Sequence, residues 1–121
     1  MDIETLIIDG VPIAHLGGTG DPIANTAQAL DLIMDVKYAA GADRVAIDKR
    51  AMPEEFFILS SGMAGEILQK FVTYGICAAF YGDFTRYTSR PLRDFIRESN
   101  RGRQVFFLPT KEEALARLAE R

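Results

Sequence analysis

The sequence predicts a single α/β domain over residues 1–121, with a mixed, mostly parallel sheet that starts with a β-hairpin. Three observations support this prediction. An Asp-Gly pair separates two β-rich runs, strand and helix patterns then alternate, and the later strands are short continuous apolar runs. The predicted order is a β-hairpin followed by αβαβαβα, and the chain length fits one domain.

The hairpin is predicted by Asp9-Gly10, which lies between the β-rich residues 4–8 and 11–16. This dipeptide favours a type I′ turn, because both central positions of that turn need φ > 0. Residues 17–22 follow as a glycine-rich loop. They contain neither of the common phosphate-binding glycine motifs, so we interpret them as a connector.

The first helix and the third strand come next. Asn25 is followed three residues later by Gln28, which predicts a capped helix start, and Gly41 predicts the helix end. Residues 44–48 then form a short apolar run that we interpret as a buried strand.

The central stretch is residues 56–71, FFILSSGMAGEILQKF. An apolar run meets Ser60, Ser61 and Gly62, and apolar residues at helical spacing follow. The pattern predicts a strand-to-helix junction with one of the two serines as the N-cap. The small residues of the first helical turn would leave its amides open to a partner or an anion.

The last part of the chain repeats the strand–helix alternation. Thr88 or Ser89 is expected to cap the third helix, and Thr110 with Glu113 forms a capping box for the fourth. The last two strands are predicted at residues 76–81 and 104–108.

Composition excludes several classes of protein. The chain carries a net charge of −3 and contains one cysteine, Cys77, so it has no internal disulfide framework. Cys77 lies in an apolar run and is expected to be a small buried side chain. The sequence has no apolar run long enough for a membrane span and no secretory leader pattern, so we expect a cytoplasmic protein.

Charge is unevenly distributed along the chain. Six acidic residues and no Lys or Arg precede Lys37, whereas residues 83–104 hold six arginines and three acids. Four of these arginines recur at helical spacing with acids between them, which favours a solvated face rather than a nucleic-acid surface. The opposite charges and the exposed hairpin edge predict self-association, for which a homodimer is the simplest form.

Candidate chemical groups lie where the predicted parallel strands end, because ligands gather at that edge of such sheets. Asp48 and Asp83 would be the acid and base of a small enzyme, would hold Mg²⁺, or would bind another ligand. His15 shares a strand face with Val11 and Ile13, so we expect it to be packed rather than catalytic. The strand-end positions are Asp48, Ser60, Ser61, Asp83 and Thr110.

Three segments, GEILQKF at 65–71, GDFTRYTSRPLRDFI at 82–96 and ESNRGRQVFF at 98–107, resemble the bacterial family called domain of unknown function 4180. The likeness spans nearly the whole chain. It implies membership of that family without implying an activity.

The hairpin-first order also resembles the STAS domain (sulfate transporter and anti-sigma-factor antagonist). In that family a serine between a strand and a helix is phosphorylated by a partner kinase, which switches binding. Ser60 and Ser61 lie at the corresponding place, although Leu59 stands where the family usually has an acid. The resemblance implies a regulatory role.

The sequence therefore predicts a non-enzymatic, regulatory protein-interaction module with no metal, no cofactor and no catalytic residue. The alternative is the small enzyme or ligand-binding domain that would use Asp48 and Asp83. The residues expected to contact a partner or to carry a phosphate are Ser60, Ser61, Gly62, Asp83, Arg86 and Arg90.

Overall fold

The computed structural model describes residues 2–120, which form one five-stranded mixed sheet with α-helices on both faces. The strand order is β1-β2-β3-β4-β5, with β1 antiparallel to β2 and all other pairs parallel. The predicted α/β class with a hairpin start is confirmed. The strands are β1 (Ile3–Ile8), β2 (Val11–Leu16), β3 (Arg44–Asp48), β4 (Cys77–Tyr81) and β5 (Val105–Leu108), and the helices are α1 (Thr26–Met34), α2 (Met63–Thr73), α3 (Arg90–Arg101) and α4 (Lys111–Ala119).

The hairpin turn has the predicted geometry. Asp9 and Gly10 both have positive φ, 51° and 79°, and Ile8 pairs with Val11 across the turn. This two-residue loop fixes the register of the whole hairpin, so Glu4 lies directly opposite His15.

The two faces of the sheet are covered by different helices. Helices α1, α2 and α3 pack on one face, where Phe71 and Phe80 are fully buried, and α4 packs on the other, where Ile13 and Phe106 meet Leu118. Because the parallel strands follow one another in chain order, right-handed crossovers place the first three helices on the same side. Helix α4 follows the last strand and covers the face that they leave open.

The helix starts follow the predicted capping residues. Asn25 accepts a hydrogen bond from the Gln28 amide, Ser89 accepts one from the Leu92 amide, and Thr110 accepts one from the Glu113 amide. Each bond satisfies an amide that the helix itself leaves without a partner.

Helix α1 ends differently from a plain α-helix. It continues into a π-helical turn over Asp35–Ala39, in which the Ala40 amide donates to the Asp35 carbonyl at 2.9 Å. Gly41 follows with φ of 62°, so the predicted end of the helical segment at this glycine is confirmed.

The predicted strand-to-helix junction within residues 56–71 is wrong on its first side, because no strand leads directly into α2. The residues before this helix form two 3₁₀ turns, Glu54–Phe57 and Leu59–Ser61, that lie between β3 and α2. Phe56 and Phe57 are both buried. Both rings lie in the cluster on the face covered by α1, α2 and α3, whereas neighbouring side chains of a strand point to opposite faces, so this placement requires the backbone to turn.

Cys77 is only partly buried, in contrast to the expected fully buried side chain. It lies at the start of β4, and its thiol contacts the Arg103 carbonyl oxygen at 3.3 Å. Burial raises the pKa of this thiol, which keeps it protonated and poorly nucleophilic at neutral pH.

Candidate interaction surface at the carboxyl end of the sheet

Two loops at the carboxyl ends of the parallel strands are joined by an aromatic cluster. Phe57, from the loop between β3 and α2, stacks on Tyr87 with ring centroids 5.2 Å apart and contacts Phe84 at 5.9 Å. The Lys49 ammonium lies 4.8 Å from the centroid of the Tyr87 ring. A Cβ atom at Gly82 would lie 2.8 Å from the Cβ of Lys49, so the two loops meet as closely as glycine allows.

The loop between β2 and α1 joins the same assembly. The Ile23 amide donates to the Ala51 carbonyl at 2.8 Å. A Cβ at Gly18 would lie 2.8 Å from the Cβ of Arg50. Residues 17–25, 49–62 and 82–89 therefore form one connected surface, which we call the loop surface.

The two predicted serines occupy different environments on the loop surface. The Ser61 hydroxyl donates to the Glu55 carbonyl at 2.9 Å and accepts from the Met63 amide at 3.2 Å. The N-cap position of α2 is occupied by Gly62, whose φ of 82° is left-handed, so neither serine is the N-cap residue itself. Ser60 is exposed, and within residues 2–120 its hydroxyl has no hydrogen-bond partner.

An apolar side chain is exposed next to these serines. Ile58 lies between two buried or half-buried parts of the loop, and 55% of its surface is accessible. The nearby Phe56 and Phe57 are buried in the core and anchor the loop, whereas Ile58 faces solvent. A large exposed apolar side chain on an anchored loop is available for contact with another protein.

Asp48 ends β3 and is held by its own loop. Its carboxylate accepts two hydrogen bonds from the Arg50 guanidinium, at 2.9 and 3.2 Å, and one from the Arg50 amide at 2.8 Å. Burial acts to raise the pKa of Asp48, but these bonds outweigh it and hold the pKa below its usual value. The carboxylate is thus ionised at neutral pH and already paired with Arg50.

Asp83 lies on the loop after β4 and forms a local turn. Its carboxylate accepts hydrogen bonds from both the amide and the hydroxyl of Thr85, and these bonds lower its pKa. This arrangement is an ordinary aspartate turn. Asp48 and Asp83 are therefore each engaged within their own loops.

The two predicted arginines lie at the edge of the loop surface and are exposed. Arg90, in the first turn of α3, lies 3.9 Å from the Asp94 carboxylate. With Arg93, Asp94 and Arg97 it lines an open depression of about 470 Å³. Arg86 lies in the loop before the helix, and within residues 2–120 its guanidinium has no hydrogen-bond or ion-pair partner.

A partly buried polar network centred on His15 lies on the other face of the sheet, near the amino end of α4. His15 is 8% exposed, and its Nδ1 lies 2.6 Å from the Glu4 carboxylate while its Nε2 lies 2.6 Å from the Tyr81 hydroxyl. The bond from His15 lowers the pKa of Glu4, and burial together with the nearby Asp48 raises the pKa of Tyr81 to about 12. His15 is packed, as predicted.

One of the two contacts of His15, the contact with Glu4, can be derived from the sequence. A two-residue turn at Asp9-Gly10 places Glu4 opposite His15, because the hairpin register follows from the turn. The partner on the other side, Tyr81, lies 66 residues away and reaches His15 across β3. Nothing local in the sequence links these two residues.

Comparison with protein families identifies the chain. A family model described as "Domain of unknown function (DUF4180)" matches residues 8–118. The chain belongs to this family. Neither the curated proteins nor the solved structures contain a significant match to it. Within residues 2–120, no helix combines the length and apolar character needed to cross a membrane, and no three His, Cys, Asp or Glu side chains are grouped so that they could hold a metal ion.

Proposed function

We propose that the chain is a non-enzymatic, regulatory protein-interaction module that binds its partner through the loop surface. One observation carries the proposal. The two candidate acids, Asp48 and Asp83, are paired within their own loops, whereas Ile58 is left exposed on a loop that buried phenylalanines anchor. Paired carboxylates suit a folded scaffold, and an anchored exposed apolar side chain suits docking of another protein.

The partner would present an acidic segment beside an apolar one. Arg86 and Arg90 are exposed at the edge of the loop surface, and Arg93 continues the positive charge along α3. Carboxylates of a partner would pair with these guanidinium groups while an apolar side chain covers Ile58. Charges at the rim of such an interface mainly raise the rate of association, whereas the apolar centre supplies affinity.

Regulation by phosphorylation is the second part of the proposal. The order of elements resembles that of the STAS domain, and two serines precede α2; both observations support the proposal. Ser60 is the better acceptor, because its hydroxyl is exposed, whereas the hydroxyl of Ser61 is held by Glu55 and Met63. A phosphate would add about two negative charges at the rim of the docking surface.

Self-association is proposed through the hairpin edge. Strand β1 is at the edge of the sheet, and Ile7 on it is 63% exposed. An edge strand has unpaired backbone groups that can pair with a second copy. Sedimentation equilibrium of the wild-type chain and of Ile7→Lys tests this, since a charge at that position should return a dimer to the monomer. A wild-type chain that sediments as a monomer at every concentration contradicts it.

Affinity capture with quantitative mass spectrometry tests the docking surface. The bait chains are wild type, Ile58→Ser, and a double variant with Arg86→Gln and Arg90→Gln. Val72→Ser is the control, because Val72 is 49% exposed on α2, outside the loop surface. We expect a partner that the loop variants lose and the control retains. Capture that is equal for all four baits contradicts the proposed surface.

The phosphorylation proposal has its own test. Ser60→Asp should change the amount of captured partner, with Ser60→Ala as the uncharged control. If neither Ser60→Asp nor Ser61→Asp changes the amount of captured partner, the proposal of a phosphorylation switch is contradicted. This holds even if the proposed docking surface is confirmed.

A further inference from the structure

A second concave region lies at the opposite end of the sheet from the loop surface. It has a volume of about 530 Å³ and is lined by four arginines, with Cys77 and Phe106 among the other lining residues. We call it the arginine groove. Its lining contains a single acid, Glu120, so the lining residues carry a net charge of +3 in a chain whose net charge is −3. The four arginines are Arg44, Arg101, Arg103 and Arg117.

Two of these arginines are fixed by the ends of helices. The Arg44 guanidinium donates to the carbonyls of Leu118 and Glu120 at the end of α4. Arg117 donates to the Asn100 carbonyl at 2.7 Å, near the end of α3, and its guanidinium lies 4.3 Å from the centroid of the Phe106 ring. These contacts explain why positive groups gather here, since helix carboxyl ends attract cations. They also hold two guanidinium groups in place without using up all five N–H donors of each.

In the described part of the chain, the side chains of the other two arginines, Arg101 and Arg103, make no hydrogen bond to the backbone. The Arg101 guanidinium is 71% exposed and lies 3.4 Å from an equally exposed Glu98, a surface pair that contributes little to stability. Within residues 2–120, the Arg103 guanidinium has no hydrogen-bond or ion-pair partner. Both groups are therefore available to a ligand. Asp43 and Glu98 lie beside Arg44 and Arg101 but outside the lining of the groove.

Glu120 offsets one of the four positive charges, since its carboxylate lies 3.6 Å from Nε of Arg117, and the remaining lining residues are uncharged. Leu118 is buried, the thiol of Cys77 is protonated at neutral pH, and Phe106 is covered by Arg117. The volume is in the range of sites that hold nucleotide-sized molecules, roughly 300–1,000 Å³. Guanidinium groups match phosphate and carboxylate oxygens in pairs of parallel hydrogen bonds, and two fixed arginines lower the ordering cost of such binding.

We propose that the arginine groove binds a small phosphate-bearing anion of about nucleoside diphosphate size. Arg44 and Arg117 supply fixed donors, and Arg101 and Arg103 close on the phosphates from the solvent side. This site is separate from the loop surface and stands whether or not the proposed function is correct.

Cys77 provides a reporter within the groove, because it is the single cysteine of the chain. The rate at which iodoacetamide, an uncharged reagent, alkylates Cys77 is measured by mass spectrometry of the whole chain. The probes are ADP, inorganic pyrophosphate and uncharged adenosine. ADP at about ten times its dissociation constant should slow alkylation about tenfold. High salt should weaken the effect, since the interaction is electrostatic.

A matched pair of variants separates this site from general charge attraction. The groove variant carries Arg101→Gln and Arg103→Gln, and the control carries Arg86→Gln and Arg93→Gln, with the same change of net charge. Calorimetric titration with ADP should show affinity lowered at least about tenfold in the groove variant and unchanged in the control. Circular dichroism verifies that each variant folds, which is expected because none of these side chains supports the core.

Three results would overturn the proposal. The first is the absence of both calorimetric binding and Cys77 protection with ADP and with pyrophosphate. The second is equal weakening in the groove and control variants. The third is equal protection by adenosine. Binding heat that only the groove variant loses supports the site even if the bound anion leaves Cys77 uncovered.

Discussion

Replacing Tyr81 by phenylalanine is expected to destabilise the fold by about 1–2 kcal/mol. The change removes only the hydroxyl that lies 2.6 Å from Nε2 of His15. His15 is 8% exposed, and the Glu4 carboxylate at its Nδ1 accepts but cannot donate a hydrogen bond. In the neutral ring Nδ1 therefore carries the proton, and Nε2 accepts from Tyr81. Without the hydroxyl, that nitrogen is buried with no donor.

The magnitude follows from the cost of leaving Nε2 of His15 without a donor. An ordinary hydrogen bond contributes about 0.5–1.5 kcal/mol net, and a buried polar atom left unpaired costs more than this, about 1–3 kcal/mol. Tyr81 is half-buried, so water reaches part of the site and the lower part of that range applies. For a chain of this length, the melting temperature should fall by roughly 4–8 °C.

Urea unfolding followed by far-ultraviolet circular dichroism measures the change, since the chain has no tryptophan. Tyr87→Phe is the matched control, because its hydroxyl lies 3.3 Å from the exposed Glu54 carboxylate and should contribute about 0.5 kcal/mol or less. Combining Tyr81→Phe with Glu4→Gln in a double-mutant cycle should give a coupling of at least about 0.5 kcal/mol, since both groups act on one ring. A Tyr81→Phe variant as stable as Tyr87→Phe, with no coupling to Glu4, would refute the network.

Three further predictions concern stability and its pH dependence. Gly62→Ala should destabilise the fold by about 1–2 kcal/mol, because φ at this position is 82°. Gly65→Ala within α2 should stabilise it by about 0.5–1 kcal/mol, because alanine favours a helix more than glycine does. An added Cβ meets no atom within 4 Å at either site, so the change in unfolding free energy measured in urea reports the backbone conformation alone. Asp48→Asn should lower the melting temperature at neutral pH, and the difference should narrow as the pH falls below about 3.9, because a lowered folded pKa gives stability that is lost on protonation. The pKa of Tyr81 is raised to about 12, so an absorbance titration should show a phenol that ionises well above the usual pKa of tyrosine, about 10, and the fold should lose stability as the pH rises from about 10 towards 12.

The contacts within the candidate site could not be predicted from the sequence. The expected ligand edge of the sheet did hold Asp48 and Asp83, but the bonds from Arg50 and Thr85 that occupy them depend on loop geometry. The aromatic contacts that join the loops depend in the same way on the tertiary fold. Phe57 is 30 residues from its stacking partner Tyr87, and both are placed by the parallel register of β3 and β4.

The sequence by itself determined the order of elements, the hairpin turn and the starts of three helices. Asn25, Ser89 and Thr110 each bond an amide three residues on, and Asp9-Gly10 sets its own turn, so these features depend on neighbours within the chain. Only the tertiary structure brought Tyr81 to His15 and gathered four arginines from separate elements around Cys77. The physical reason is range: caps and turns are settled over a few residues, whereas a network or a groove is settled by which strands pair and which helix ends meet.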